Sequence, residues 1–337
     1  MPNVWTHFIF GQQCLQALGE ERLIETPHLK TMFNMGCQGP DFLFYHRFLP
    51  WQKGRTMTRL GSDMHQLHCG PVLLDLLDAL DNLPAKTDKY AREDAFVYTL
   101  GFVLHHLLDR VMHPYVFSRS GNRKWDHQRF EVLMDTLIVH KLLEIETWKT
   151  EVWREINNKG ELPASVLDAF EQIAAVHYPK LAPMIRREHW SAAMRDMIAA
   201  QRLFYDPTGV RRLVTFGQIE PFVYKKELPE LDILNESRRP WLDPMDGQTL
   251  HDESVWDLWD QAMSEAKEVI GAILVWLREK ESLEPILGGG SEIHAPSKHQ
   301  LRETVARLIG NRSYETGLPC ESGASIRFED PIWVPKL

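Results

Sequence analysis

Four cysteines in 337 residues (Cys14, Cys37, Cys69 and Cys320), with no CxxC pair and no tight spacing, exclude a disulfide framework and a cysteine-held zinc. They read as scattered free thiols in a reducing compartment. Positive charge is not in excess: 38 Lys and Arg stand against 47 Asp and Glu, a net charge of -9, so the footprint of a protein that wraps duplex nucleic acid is missing. No apolar run approaches the ~20 residues of a membrane span. The opening MPNVWTHFIFGQQCLQAL has neither a basic start nor a small-residue cleavage site, so it is not expected to be a signal peptide, and the expected location is cytoplasmic. Convincing alternating strands and internal repeats are lacking too.

What is present is helical periodicity. Helices are expected over 5–19, stopped by Gly19; over 70–84, closed by Pro84; over 91–113, where Pro114 should end or kink the helix; and over 126–147, with Asp126 as candidate N-cap. Others are expected over 164–177, 184–205, 208–217, 252–281 and 298–310. The Pro- and charge-rich segment 225–249 and the GGGS-containing 285–297 read as loops, and the tail after 311 as an extended segment draped over the body. An all-α protein follows. Residues 1–150 are expected to form a metal-binding helical core, and 151–337 a helical C-terminal region packing on it, as part of the same domain or beside it.

Histidine is concentrated. Of fifteen, ten fall at positions 7, 28, 46, 65, 68, 105, 106, 113, 127 and 140. Histidine among carboxylates, without cysteine, is the composition of a nitrogen and oxygen metal site. His105, Asp109 and His113 stand four apart in an apolar helix, so they share one slowly drifting face. The outer two are then about 12 Å apart along the axis, too far to share one ion easily, and the middle carboxylate can reach toward either; that suits two adjacent metals. The next helix repeats the interval with His127, Glu131 and Asp135. A single H-x3-D is more often a hydrogen-bonded or surface pair than a ligand pair. Two linked triplets on successive apolar helices reverse that, because burying such groups unpaired costs several kcal/mol each while coordination satisfies them.

The pieces WTH, GCQGPD ending in Asp41, RLGSDMH ending in His65, LGFVLHHLLDRVMHPYV and HQRFEVLMD stand in an order that resembles the zinc-dependent phospholipase C family, over about the first 140 residues. The resemblance implies the all-α fold shared by phospholipase C and single-strand nucleases, here with a helical C-terminal extension. It implies a cluster of two or three zinc ions. One would be held by Asp41, His65, His105 and Asp109, and a second by His113, His127 and Glu131. A third would use His7, a shared Asp109, and the chain's own N-terminal amine and carbonyl. Asp41 and His65 are expected on loops or helix starts folded over the two motif helices. His46 and His68 flank ligand segments and are candidates to face substrate or support a ligand, His106 points elsewhere, and Asp135 either orients a ligating histidine or makes a plain helix hydrogen bond. Phe42, Phe44, Tyr45 and Trp51 follow Asp41 closely, without a recognisable choline cage.

The leading functional reading is a zinc-dependent hydrolase of phosphate esters, phospholipase C-like, with Asp41 as ligand or proton acceptor and a small phosphodiester or phospholipid as substrate. Nucleic acid is disfavoured by the acidic total and the lack of interleaved basic and aromatic residues. The alternative is a non-catalytic, metal-stabilised helical scaffold or binding protein whose metals have closed shells. A di-iron carboxylate bundle would want Glu-x-x-His pairs that the sequence does not offer. Oligomeric state is not legible.

Overall fold

The computed structural model describes residues 3–121, 123–278 and 296–333. It is all-α. The central element is α5 (Lys89–Ser120), preceded by α1 (Val4–Ala17), α2 (Pro27–Gly36), α3 (Thr56–Gln66) and α4 (Cys69–Asp81), and followed by α6 (Asp126–Leu143). The second half contributes α7 (Ala164–His177), α8 (Arg187–Phe204), the short α9 (Val210–Val214), α10 (Val255–Arg278) and α11 (Lys298–Ile309). Strand structure among the described residues is confined to two antiparallel two-residue strands, Trp241–Leu242 and Leu250–His251, the first of them inside the segment read as a loop.

The stretch from Ala95 to Tyr115 is buried almost throughout, because FVYTLGFVLHHLL is apolar on every face and such a helix has to be surrounded. The helices α1, α2, α4, α6, α7 and α10 surround it. One continuous apolar core takes side chains from Val4 to Ile309, so residues of both halves of the chain enter it. Trp259 and Trp276 of α10 are buried in that core, as their helical spacing suggests.

Three glycines set how closely α2 and the turn after it approach α5. A Cβ on Gly36 would lie 2.2 Å from the Tyr98 carbonyl oxygen, and one on Gly101 would lie 2.6 Å from the Phe33 carbonyl oxygen and the Cys37 nitrogen. Gly39 combines a left-handed φ of 49° with a Cβ position 2.2 Å from the His105 ring. The backbone that carries Asp41 is thereby pressed against the helix that carries His105.

The structure departs from the sequence expectation at several ends. Pro114 neither ends nor breaks α5, which runs on to Ser120. Proline removes the N–H that the Arg110 carbonyl would accept from, but the C-terminal segment grips this stretch. Gly317 packs so close that a Cβ there would lie 2.2 Å from the Arg110 oxygen, and the Arg110 guanidinium donates to the Ile309 carbonyl at 2.7 Å and to Glu265 at 2.6 Å. Asp126 is the first residue of α6, not its cap; the cap position is Trp125, in a left-handed conformation. That helix stops at Leu143 because Glu144 turns left-handed. The helices α2 and α3 went unread, and the GGGS segment lies outside the described residues.

After α11 the chain runs along the body as a strap. Backbone N–H groups of Asp330 and Ile332 donate to the carbonyls of Ser118 and Arg119, and those of Arg327 and Phe328 to Pro244.

Replacing Gly101 with Ala is expected to lower stability by about 3 kcal/mol, seen as a reduced urea midpoint, since α2 backbone occupies the added methyl's place. Gly271→Ala in α10, where a Cβ meets nothing within 4 Å, should instead leave stability unchanged or raise it by up to ~1 kcal/mol.

Candidate metal centre

Five segments converge on one largely buried region. His7 comes from α1, Asp41 from the first turn of a 3-10 helix (Gly39–Tyr45), and His65 from the last turn of α3. His105, Asp109 and His113 come from α5, and His127 and Glu131 from the first two turns of α6. Asp41 thus sits at a helix start, as expected, whereas His65 sits at a helix end.

Three groups of side chains bring ligand atoms within 4.8 Å of one another: His7, Asp41 and His105; His65, His105 and Asp109; and His113, His127 and Glu131. His65 Nε2 lies 3.1 Å from Asp41 Oδ1, and His105 Nε2 lies 3.0 Å from Asp109 Oδ2 and 3.7 Å from Asp41 Oδ1. His7 Nε2 is 3.4 Å from Asp109 Oδ1, and its ring stacks on His105 at 4.1 Å. So His7 stands beside Asp41 and His105 as well as Asp109. Met1 and Pro2, whose amine and carbonyl would complete a third site, lie outside the described residues. His127 Nε2 is 2.7 Å from Glu131 Oε1.

The imidazoles are held by their outer nitrogens. His65 Nδ1 faces the Gly61 carbonyl at 2.6 Å, His105 Nδ1 that of Cys37 at 3.0 Å, and His113 Nδ1 that of Tyr314 at 2.6 Å. A carbonyl only accepts, so each Nδ1 carries the hydrogen and each Nε2 lone pair points inward. Inside, among the described residues, both nitrogens of His7, Nε2 of His105 and His113, and both oxygens of Asp109 find no hydrogen bond of sound geometry. His7, Asp41, His65, His105, Asp109 and His113 are all buried, Asp109 completely. Orphaned donors of this kind, in neutral tautomers around carboxylates, fit divalent cations such as zinc.

The electrostatics agree with that fit. Burial lowers the His7 and His127 imidazoles well below their ordinary value and takes His113 to about 3, so these rings are neutral near pH 7. At His105, burial is outweighed by Asp109 and Asp41, which raise it. Asp109 is disfavoured as an anion by burial, yet His105, His113 and His7 pull it far below the usual carboxylate range.

The other candidates fall elsewhere. His106 gives Nε2 to the Arg312 carbonyl at 2.7 Å, pointing away from the ligand groups. His46 lies by His189 and His68 by His177 and Tyr178, apart from the convergence point. Phe42 packs on Phe170, Tyr45 accepts from Gln201 and Trp51 is 74% exposed, whereas the Phe44 ring lies 5.2 Å from that of His65. Among the described residues Asp135 orients no histidine. It accepts from the backbone N–H of Thr6 at 2.7 Å, the Thr6 hydroxyl at 2.5 Å and the Tyr224 hydroxyl at 2.5 Å, and so fixes the first turn of α1, one residue before His7.

Sequence reasoning missed Tyr314, whose carbonyl orients His113 and whose ring lies 4.9 Å from His65 and 5.8 Å from His105. It also missed a cleft of about 360 Å³ beside His127, lined by Phe117, Arg123, Arg327, Phe328 and Glu329. No local pattern marks a backbone carbonyl 201 positions away in the chain.

Comparison with known families matches residues 6–190, over half of the chain, to the family described as zinc dependent phospholipase C. The chain belongs to the zinc-dependent phospholipase C family. Neither the curated proteins nor the solved structures searched give a significant match. A phospholipase C family places phosphoesters and lipids as the substrate class, and its buried His and Asp groups here are compatible with the family's metal. No helix among the described residues is long and apolar enough to cross a membrane.

Burial pushes the Asp135 carboxyl up to about 6, against the hydrogen bonds from Thr6 and Tyr224. The folded value lies above the ordinary 3.8, so the fold favours the protonated acid. The stability this gives is full below about pH 4 and is lost as the pH rises through about 6. Asp135→Asn, which cannot ionise, should remove that slope from urea melts run across the interval. Asp135→Ala should cost about 3 kcal/mol, because it leaves buried donors without an acceptor.

Proposed function

We propose that this chain is a zinc-dependent, phospholipase C-like hydrolase of phosphate esters, in which His7, Asp41, His65, His105, Asp109, His113, His127 and Glu131 hold two or three zinc ions. The observation that supports this most directly is that, among the described residues, the Nε2 atoms of His7 and His105 stand 3.4 and 3.0 Å from the buried Asp109 carboxylate with no hydrogen bond of sound geometry on either side. We place the metal-binding core in residues 1–150, completed by residues 151–337.

Bound zinc supplies Lewis acidity, lowering the pKa of water toward ~7 and offsetting charge on phosphoryl oxygens. The chain's own groups do the rest. Carbonyls of Gly61, Cys37 and Tyr314 hold three imidazoles in one tautomer, so no reorientation is needed during reaction. Asp41, between His65 and His105, is placed both to ligate and to accept a proton from the attacking water. Approach is from the cleft, which meets the candidate centre at His127 while the ligands behind it are buried. Arg123 and Arg327 on its walls suit an anionic phosphate, and Phe117 and Phe328 suit an apolar substituent. A glycerophospholipid or a small phosphodiester with an apolar arm has both features. We assign the cytoplasm as its location.

Protein purified without added metal should contain at least two divalent ions per chain by elemental analysis. Asp109→Asn should remove more than one of them, and His7→Ala no more than one. Hydrolysis of bis-p-nitrophenyl phosphate or a glycerophospholipid should be abolished by chelator and restored by zinc. His127→Ala and Asp41→Asn should each lower kcat/KM at least ~100-fold, and Arg327→Ala should raise KM about tenfold with kcat little changed. Metal-replete protein inert toward phosphate monoesters and diesters alike would favour the scaffold reading instead.

A further inference from the structure

Two of the scattered thiols meet. Cys69 opens α4, and its Sγ lies 3.6 Å from that of Cys320, at the far end of the chain. Both are free thiols. We propose that Cys69 and Cys320 form a thiol–disulfide exchange site that takes a small-molecule disulfide as oxidant and covalently staples the C-terminal strap to α4.

The approach of the two sulfurs is built into the fold on both sides. The Gly70 N–H donates to the Asn311 side chain at 3.1 Å, and the Cys320 N–H donates to the Asn311 backbone carbonyl at 2.9 Å. A Cβ on Gly70 would lie 2.0 Å from the Gly310 carbonyl oxygen, so the start of α4 and the start of the strap touch backbone to backbone. The strap folds back on itself between Arg312 and Pro319, which returns Cys320 to Cys69. Between these anchors it passes the candidate metal centre, where Tyr314 donates its N–H to the His65 carbonyl at 2.9 Å and accepts from His113. A bond at position 320 therefore closes the segment that orients two candidate ligands.

Access and acidity give the two sulfurs different parts. Cys69 is fully buried, whereas Cys320 is partly open to solvent. The Cys320 S–H donates to Cys69 Sγ at 3.6 Å, and the Cys69 S–H donates to the Met64 carbonyl at 3.4 Å. The contact with Cys69 lowers the Cys320 thiol, and the same contact, with burial, keeps Cys69 protonated. The Cys320 thiolate attacks one sulfur of the incoming disulfide, whose S–S bond breaks, and the first thiolate leaves and takes a proton from water. Cys69 then attacks Cys320 Sγ, its proton passing to the small thiolate that leaves. The mixed disulfide breaks and the second small thiol departs. Two protein thiols have been oxidised by two electrons, and one disulfide has become two thiols.

The test uses the full-length protein, reduced, desalted and exposed to oxidised glutathione. Remaining thiols are blocked with N-ethylmaleimide after unfolding in acidic guanidinium brought to neutral pH, and the digest is mapped by mass spectrometry. The expected wild-type product has Cys69 joined to Cys320 and Cys14 and Cys37 blocked. Cys69→Ser should stop at a glutathione adduct on Cys320, and Cys320→Ser should give neither cross-link nor adduct. Wild-type protein with all four cysteines blocked would overturn the proposal. So would a wild-type product that stops at the Cys320 adduct, or a cross-link to Cys14 or Cys37. Because Cys320→Ser changes a partly exposed side chain, its result does not depend on the core tolerating a change at Cys69.

Discussion

The Asp109 carboxylate is completely buried, and three histidines stand within 4 Å of it without, among the described residues, a sound hydrogen bond to either oxygen. A lone anion in such surroundings costs several kcal/mol even after relaxation. The fold makes that burial sustainable by aiming neutral imidazole nitrogens and a second carboxylate at the same point, which is an arrangement for cations. Much of the architecture follows from this requirement. The helix bearing Asp109 has to be enclosed on every side, and His65, His105 and His113 each take an outer carbonyl that fixes the tautomer.

The enclosure is made by close backbone approach. Gly36, Gly39 and Gly101 let α2 and the Asp41 turn press on α5, and Gly317 lets the C-terminal strap press on the turn that Pro114 deprives of a hydrogen bond. Asp135 performs a related service one layer out, taking the orphan donors of α1's first turn so that His7 enters at a set angle. Each contact joins residues far apart in the chain, so the candidate centre and the tertiary fold form together.

The region after residue 190 lies beyond the matched family segment, yet it is not an appendage. Its α10 packs along α5, its strap supplies the Tyr314 carbonyl to His113, and residues 327–329 wall the cleft beside His127. A fold shared across a family says little about which substrate is used; that is decided by the residues of the site. The cleft residues come from both the matched segment and the strap, so under the function proposed above the substrate preference would be set partly by sequence outside the matched segment.

Periodicity alone determined that the protein is helical, because apolar residues at 3.6-residue spacing leave a helix as the one conformation that gathers them. The four-residue intervals of His105, Asp109 and His113, and of His127 and Glu131, determined which side chains share a face, since that is a local property of helix geometry. Asp41, His65 and His7 entered through their order in a family pattern. The tertiary structure alone decided the rest. Pro114 stays inside a helix because neighbouring segments hold it there, against a local preference of about 3 kcal/mol. Tyr314, Asp135, the cleft beside His127 and the meeting of Cys69 with Cys320 involve partners from 89 to 251 positions apart. Contacts of that range leave no periodic trace in a sequence, because they arise only when separate helices are packed together.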